Sequence, residues 1–476
     1  MITIRPLLPS AGWTSLSLLT AAALSILPLQ GALLLAAGAA AVVAGMVVPS
    51  SGLALVAVGV PFGGDLGLLA GGLRLGLTEL AATLTAGVFF LRAAARRRFR
   101  LRGLGVWAPL AVLIVVALFS TAQGPGLTES LKEMAKWLLF GGVATLAATL
   151  VIDRRTLLLV SGAILAAAGA EALYGLGQAA AGAGPLGFIL GGSLRAFGTF
   201  GQPNPFAAYL STGAIVAGSL TLAVISRTPQ RPVSLLALVL LSLLVLLLAG
   251  VSASLSRSAW VGLLAAAAAV VAVHFRRGVL LVGLAFLAGA LVWSQAGAGW
   301  LPPVVASRLE ALAESLSWFD PRAVPLTSEN FALVHRMAIW QAAWDMFQAN
   351  PWLGAGPGNF DLAYPAFALP GWPVLPGHAH NFYLNLLAET GVLGLAAYLG
   401  LLIFLIGKSL KGHWQRRASP DPGWYGTALA GVGLAAFLTV YQLFDNLYVH
   451  SMTAQAGLIF GLAFASAEPD DERDGS

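Results

Sequence analysis

The chain has 476 residues, of which 58% are hydrophobic and only 10% charged, with a net charge of +6. A mean hydropathy of +0.84, with apolar runs of about 18 residues or more along the whole chain, excludes an ordinary soluble protein and predicts a polytopic helical membrane protein. The runs do not alternate apolar and polar residues, as a β-barrel would require. The absence of cysteine excludes disulfides, thiolate catalysis and cysteine metal sites.

The apolar runs predict fourteen spans, rich in Gly, Ala and Leu, of which the short third one is the weakest. They lie near residues 12–29, 31–48, 50–62, 76–94, 104–122, 134–152, 156–181, 205–226, 233–251, 258–275, 278–295, 381–407, 424–448 and 451–467. The first run resembles a signal peptide, but no cleavage site follows it, so we expect it to be a span.

The distribution of Lys and Arg predicts the orientation. Eighteen of the 26 basic residues fall at the termini or in alternate loops, which the positive-inside rule places in the cytoplasm, where they contact membrane lipids. No basic stripe is interleaved with aromatic residues, so we expect no nucleic-acid partner. The remaining basic residues fall on the outer side: Arg74, Lys132, Lys136, Arg195, Arg257, Arg308, Arg322 and Arg336.

The predicted organisation has four parts. Residues 1–295 form the N-terminal transmembrane helices and residues 296–380 an outward-facing loop domain, with helical pieces at 304–318 and 329–348. Residues 381–467 form the C-terminal transmembrane helices, and residues 468–476 an acidic, disordered tail.

Two arginines at outer helix ends are candidates for binding an anion. Arg195 lies in a turn rich in Gly and Pro, where Asn204 is expected to cap the following span. Such an arginine either grips a phosphate bidentately or snorkels to lipid phosphates. Arg257 follows a connection of only a few residues, at the membrane edge, where charge is costly and indicates function. Its structural alternative is an ion pair with Glu389 or Asp445.

Two histidines precede the long apolar run that begins near residue 381. An imidazole can accept a proton from an attacking hydroxyl at neutral pH, and His380, which abuts the predicted helix, is the candidate base. His378 is a second binding candidate or a rim residue. A zinc site is not expected, because no third ligand of suitable spacing accompanies the pair.

Other polar residues are weaker candidates. Glu389, inside a span, is expected to orient a histidine or, preferably, to pair with an arginine. His335 and Arg336 point to different faces of a loop helix, and a solvated face is the expectation for His335. Asp445 and its neighbours either bind polar substrate or line a wet crevice. The glycine-rich segment 354–360 lacks the Lys-Ser/Thr ending of a nucleotide-binding loop.

The ordered set of motifs resembles the O-antigen ligase and O-antigen polymerase superfamily of bacterial lipid-linked glycan transferases. The motifs are RAFGTFGQPNP (195–205), SRSAWVG (256–262), Arg336 with Trp340, PWLGAGPGNF (351–360) and HNFYLNLLAETGVLG (380–394). The resemblance covers about residues 190–410; the first 180 residues match only in being helical and apolar.

This resemblance implies a GT-C-like fold of about 12–14 transmembrane helices in the bacterial inner membrane, with its active site on the outer face. It implies transfer of a glycan from undecaprenyl pyrophosphate to the hydroxyl of a glycan, lipid or protein acceptor, with no cofactor and no metal. Arg195 and Arg257 match the arginines that bind pyrophosphate, and His380 matches the histidine at the acceptor. Arg336, Asn204, His378 and Glu389 would then bind substrate.

Two other functions are compatible with a membrane protein of this kind. A transporter of a small anion such as bicarbonate could use buried arginines, but it would place polar residues at the midplane and break helices in related repeats. A membrane scaffold would leave Arg257 and Glu389 unexplained.

Overall fold

A computed structural model describes residues 45–63, 68–70, 73–190, 192–227, 234–294, 319–327 and 330–467. The predicted span 12–29, most of 31–48, the loop helix 304–318 and the tail 468–476 lie outside these residues.

The described chain is almost entirely helical. Its helices are α1 (Ser51–Phe62), α2 (Leu77–Arg96), α3 (Trp107–Thr121), α4 (Leu127–Leu150), α5 (Arg154–Ala181), α6 (Pro203–Arg227), α7 (Leu235–Ala253), α8 (Arg257–His274), α9 (Gly278–Ser294), α10 (Phe331–Ala349), α11 (Phe360–Ala363), α12 (Phe382–Arg416), α13 (Pro422–Tyr441) and α14 (Met452–Ser466). Strands are limited to two short antiparallel pairs, β1 (Leu68–Ala70) with β2 (Leu73–Leu75) and β3 (Ile189–Leu190) with β4 (Ser193–Leu194).

Eight of the described helices are long and apolar enough to cross a membrane, and three shorter apolar helices accompany them. The prediction of an all-α polytopic membrane protein is therefore confirmed. A helix satisfies its own backbone hydrogen bonds, which the hydrocarbon core of a bilayer requires.

Helices α6 and α13 lie at the centre of the bundle. In the most apolar 18-residue stretch of each helix, 83% of the residues of α6 and 78% of those of α13 are buried. The corresponding share is 28% for α7, which faces outward. Small residues allow close packing elsewhere, since a Cβ added at Gly457 or Gly461 of α14 would collide with the backbone of α4.

The two ends of the bundle differ in chemistry. At one end Arg227 donates a hydrogen bond to the carbonyl of Arg417 (2.7 Å), and Arg154 lies 3.8 Å from Asp421. We call this the basic end. The connections before α6, between α7 and α8, and between α13 and α14 meet the start of α12 at the opposite end, which we call the site end.

A second, smaller core lies at the site end. It joins α10, α11 and the start of α12 through the buried side chains of Ile339, Ala342, Ala343, Met346, Phe360, Tyr364, Ala379 and Ala388. The predicted second loop helix is thus present and packs on the helix that follows His380.

Candidate active site

The arginine loop, residues 195–204, is held by α5. The backbone N–H of Thr199 donates to the Glu171 carboxylate (2.7 Å), and Gln178 exchanges hydrogen bonds with the backbone of Gly198 (2.8 and 3.2 Å). Gly198 has φ +57°, and a Cβ there would overlap Glu171, so only glycine fits. This support fixes the loop that carries Arg195.

The structure brings Arg195 to the turn that carries Arg257. Arg195 Nε donates to the carbonyl of Ser254 (2.7 Å), and Ala196 N–H donates to the carbonyl of Ala253 (3.0 Å). Arg257, three residues after Ser254, is the first residue of α8. The two predicted phosphate-binding arginines therefore share one corner of the site end, the cation corner.

Asn204 connects the cation corner to a carboxylate. Its Oδ1 accepts from Arg195 (3.1 Å), and its Nδ2 donates to Asp445 Oδ2 (2.7 Å). The expectation that Asn204 caps α6 is wrong, because the helix already begins at Pro203 and the amide makes side-chain bonds instead. Asn204 is a bridge between two elements far apart in sequence.

Asp445 lies at the centre of the site, in the connection after α13. Its side chain is only 5% exposed, and Oδ1 lies 3.3 Å from His380 Nδ1 and accepts from Asn446 N–H (2.9 Å). Burial favours the neutral acid, but the hydrogen bond and charge of His380, with His378 and Arg336, hold the pKa of Asp445 well below its usual range.

This contact assigns the protons of His380. An ionised carboxylate only accepts hydrogen bonds, so Nδ1 of His380 carries the proton that faces Asp445. In the neutral ring Nε2 then has the free lone pair. The geometry gives a carboxylate-oriented imidazole with a basic nitrogen directed away from its partner.

The backbone holds His380 in an uncommon conformation. His380 has φ +49°, in the left-handed region that side chains other than glycine rarely adopt. On one side Trp340 Nε1 donates to the carbonyl of Ala379 (2.9 Å); on the other Asn381 caps α12 by accepting from Leu384 N–H (3.1 Å). Contacts on both sides therefore maintain the strain.

The ring of His378 meets the ring of His380 edge to face, with the centroids 4.4 Å apart and the planes at 62°. Its Nδ1 accepts from His380 N–H (3.1 Å), and its Nε2 lies 3.9 Å from Asp445. Burial, followed by the charge of His380, lowers the pKa of His378 to about 4. His378 is therefore neutral at pH 7.

Both imidazoles and Asp445 offer ligand atoms within 4.8 Å of one another. The expectation that no third ligand exists is wrong, since Asp445, 65 residues further along the chain, supplies one. The donor set does not fit a metal as arranged, because Nδ1 of His378 already accepts a hydrogen bond and its Nε2 must then carry the proton. The three groups form a hydrogen-bonded cluster, and the absence of a metal stays a prediction.

Helix α10 presents two neighbouring rows of side chains. Arg336 and Trp340, four residues apart, face the histidines, and Arg336 contributes positive charge at Asp445 and His378. His335 lies in the adjacent row and packs against the rings of both Phe331 and Trp372. The prediction that His335 lies on a solvated helix face is therefore wrong, because its ring is half-buried against two aromatic rings.

Glu389 lies away from the His380 cluster. Its carboxylate accepts from the backbone N–H groups of Gly358 and Phe360, both at 3.0 Å. These groups belong to the glycine loop, residues 351–360, which packs where α12 is interrupted at Gly391 (φ +63°, ψ −166°). Among the described contacts of Glu389, backbone amides replace the expected histidine or arginine, and its role in substrate binding stays a prediction.

Residues 242–399 match the family described as O-Antigen ligase. This segment, about a third of the chain, is similar to that family. The resemblance inferred from the motifs is confirmed over this segment, which includes Arg257, Arg336, His378, His380 and Glu389. Arg195, Asn204 and Asp445 lie outside it and reach the site only through the fold. No curated protein matches the chain.

Two supporting residues were undervalued by the sequence patterns. Asp445 was a weak candidate, because nothing along the chain connects it to His380. Glu171 was not singled out, although it lies inside the apolar run 156–181. A carboxylate inside a membrane span is energetically costly and therefore indicates a role.

Proposed function

We propose that the protein is a membrane glycosyltransferase that moves a glycan from undecaprenyl pyrophosphate to an acceptor hydroxyl. The observation that carries this proposal is the continuous series of contacts from Arg195 through Asn204 and Asp445 to His380. It joins an anion-binding corner to an oriented base at one end of a membrane bundle, within and around the segment that matches the O-antigen ligase family.

Arg195 and Arg257 bind the pyrophosphate of the donor. An arginine stays charged at every physiological pH and offers a planar fork of N–H donors that matches phosphate oxygens. As the bond between the anomeric carbon and the phosphate oxygen breaks, negative charge grows on the leaving pyrophosphate. Guanidinium groups already in place stabilise that charge without a metal ion.

The apolar carrier chain has a matching surface directly below the cation corner. Helices α6, α7 and α8 line an apolar cleft of about 500 Å³, whose residues include Ile215, Leu248, Trp260 and Leu264. Trp260 lies one turn from Arg257, so the cleft begins at the membrane edge beside the arginines. A lipid with its phosphates at Arg257 therefore extends its chain into this cleft.

His380 activates the acceptor. Nε2 takes the proton of the acceptor hydroxyl as the hydroxyl oxygen bonds to the anomeric carbon of the donor sugar. Undecaprenyl pyrophosphate leaves from the opposite face of that carbon, so the configuration is inverted. Asp445 stabilises the imidazolium formed in this step. Asn204, which bonds to both Asp445 and Arg195, fixes the position of Asp445 relative to Arg195. Arg336 contacts the anionic or polar parts of the substrates from the α10 side.

The location proposed for this reaction is the outer face of the bacterial inner membrane. The basic end of the bundle then lies in the cytoplasm, and residues 296–380 form a loop domain over the outer face. Ligase and polymerase differ only in the acceptor, which is a lipid core or protein in one case and carrier-linked glycan in the other. Anion transport is not favoured, because the cation corner and the His380 cluster lie together at one end of the bundle.

The test follows release of undecaprenyl pyrophosphate by purified protein in nanodiscs, supplied with carrier-linked glycan from its own host. Release should depend on both Arg257 and His380, and the variants R257A and H380A should lose it while remaining folded. A ladder of products indicates a polymerase, and a single addition indicates a ligase. No release by folded wild-type protein across lipid, protein and glycan acceptors contradicts the proposal.

A further inference from the structure

Three aromatic rings form a cluster beside the candidate site that the proposed reaction does not use. The ring centroids of Phe331, His335 and Trp372 lie 5.7, 5.2 and 5.5 Å apart, so that each ring contacts the other two. The planes of His335 with Trp372 and of His335 with Phe331 are within 19° and 25° of parallel. Phe331 and Trp372 are tilted by 41° to each other, so the three rings form one compact aromatic cluster, which we call the ring platform.

The platform is next to the candidate base. Phe331 and His335 form one row of α10, and Arg336 and Trp340 form the neighbouring row that faces Ala379 and His380. Burial first, and then the positive charges of His380 and Arg336, lower the pKa of His335. Because Arg336 directly follows His335 and Trp340 bonds to Ala379, the platform lies on the same region of the α10 surface as the residues beside the base.

Trp372 is held in place and the platform is open. Tyr364 Oη donates to the carbonyl of Trp372 (3.1 Å), and Trp372 N–H closes a turn onto Leu369 (3.0 Å). The rings of Trp372 and His335 are half-buried, and Phe331 is 52% exposed. Because these side chains are already fixed, a ligand that binds to their exposed area causes little further loss of conformational entropy.

We propose that the ring platform of Phe331, His335 and Trp372 binds a pyranose ring of the glycan that is joined at His380. This inference rests on the proposed function. A pyranose carries several C–H bonds on one face, which pack against the electron-rich face of an aromatic ring, while its hydroxyl groups remain at the edge. The half-buried imidazole of His335 and the guanidinium of Arg336 offer hydrogen bonds at that edge.

The chemistry of the surroundings favours a sugar over a lipid chain. An apolar cleft for a lipid chain exists between α6, α7 and α8, whereas the platform includes an imidazole and adjoins the charged site. Its position beside His380, rather than beside Arg257, assigns it to the sugar that presents the attacking hydroxyl.

The experiment measures binding and turnover separately in full-length protein in nanodiscs. The probe is the repeat-unit oligosaccharide released by mild acid from the host carrier-linked glycan, followed by saturation-transfer NMR. The variants are W372A, W372F and H335A. The control is W414A, which removes a tryptophan that is 74% exposed at the basic end.

We expect W372A to weaken oligosaccharide binding about tenfold, as loss of one stacking surface implies, and to raise the KM for the acceptor more than it lowers kcat. W372F should retain most of the affinity, and W414A all of it. If W372A does not fold, the comparison of W372F with W372L replaces it, since both shorten the side chain and only W372F keeps an aromatic face.

Unchanged binding and unchanged KM values in folded W372A overturn the proposal, as does an effect of W372A on membrane association alone. A raised KM for the donor with an unchanged acceptor KM overturns the assignment to the acceptor and gives the platform to the donor sugar. Because the NMR readout needs no turnover, failure of the transferase reaction and failure of the platform are distinguishable.

Discussion

Three of the described carboxylates are buried at the site end, those of Glu171, Glu389 and Asp445, and the last two are used in opposite ways. Asp445 faces side chains, those of His380 and Asn204, in a cluster with titratable neighbours. Glu389 faces backbone, the N–H groups of Gly358 and Phe360. The first arrangement sets the protonation and direction of a base, whereas the second fixes the path of a loop.

The difference shows that burial of charge alone does not identify a reacting group. Both residues satisfy the rule that intramembrane or buried charge needs a reason. The partner decides what the reason is. A carboxylate bonded to an imidazole affects chemistry, and one bonded to two amides stabilises shape, so substitution at the two positions should change different observables.

The largest effect is expected at Asp445. D445N keeps the size of the side chain but removes the charge that orients and stabilises the His380 imidazolium, so kcat should fall about 10²- to 10⁴-fold. Glycan release by nanodisc-reconstituted enzyme measures it, with the thermal midpoint as control. A D445N protein with normal kcat would place the base elsewhere.

A large effect on folding is expected at Gly391. G391A places a methyl group on the backbone of Trp352 at a positive φ, which should cost about 3 kcal/mol or more. G400A is the matched control in the same helix, because a Cβ there meets nothing within 4 Å. G400A should be neutral or slightly stabilising. Equal thermal midpoints for the two variants would contradict the tight packing of the glycine loop.

A moderate effect on stability is expected at Glu389. E389Q keeps one acceptor but turns its other end into a donor that faces an N–H group, which should cost about 1–3 kcal/mol. Its kcat per folded molecule should stay within a few-fold of wild type, in contrast to D445N. Denaturation in detergent and turnover normalised to folded protein check both halves; a large kcat loss in fully stable E389Q would make Glu389 part of the chemistry.

The smallest effect is a pH dependence at His378. Its folded pKa of about 4 lies below the ordinary 6.5, so the unfolded chain binds more protons as pH falls. This contribution to stability is complete above pH 6.5 and is lost progressively between 6.5 and 4. Thermal midpoints of H378Q should fall less steeply than those of wild type over this window, while parallel curves would show that His378 is not held neutral.

The sequence was sufficient for what depends on local pattern. Long apolar runs predicted the helices, and the helix after His380 begins where its apolar run begins. The contacts that complete the site join residues far apart in the chain, such as Asn204 with Asp445. A single sequence carries no signal for such pairs, because hydropathy and spacing report only on neighbours.

The same limit explains the corrections. Asn204 is a residue type that often caps helices, but α6 starts one residue earlier. The side-chain amide of Asn204 instead bonds to Arg195 and Asp445. The third ligand atom near the histidines comes from another helix end, which no local spacing rule can detect. His335 is half-buried because a loop tryptophan folds onto it.

The interruption of α12 at Gly391 has a consequence for how the chain is assembled in the cell. A broken helix leaves backbone groups that a bilayer cannot satisfy. The glycine loop and α3 satisfy them: Ala355 N–H donates to Ala388 (2.9 Å), Ser120 Oγ donates to Glu389 (2.8 Å) and Val392 N–H donates to Pro351 (2.9 Å). All three partners precede α12 in the chain, so a ribosome has already made them when that helix emerges. This segment can therefore insert and form these hydrogen bonds during synthesis, because its bonding partners have already been made.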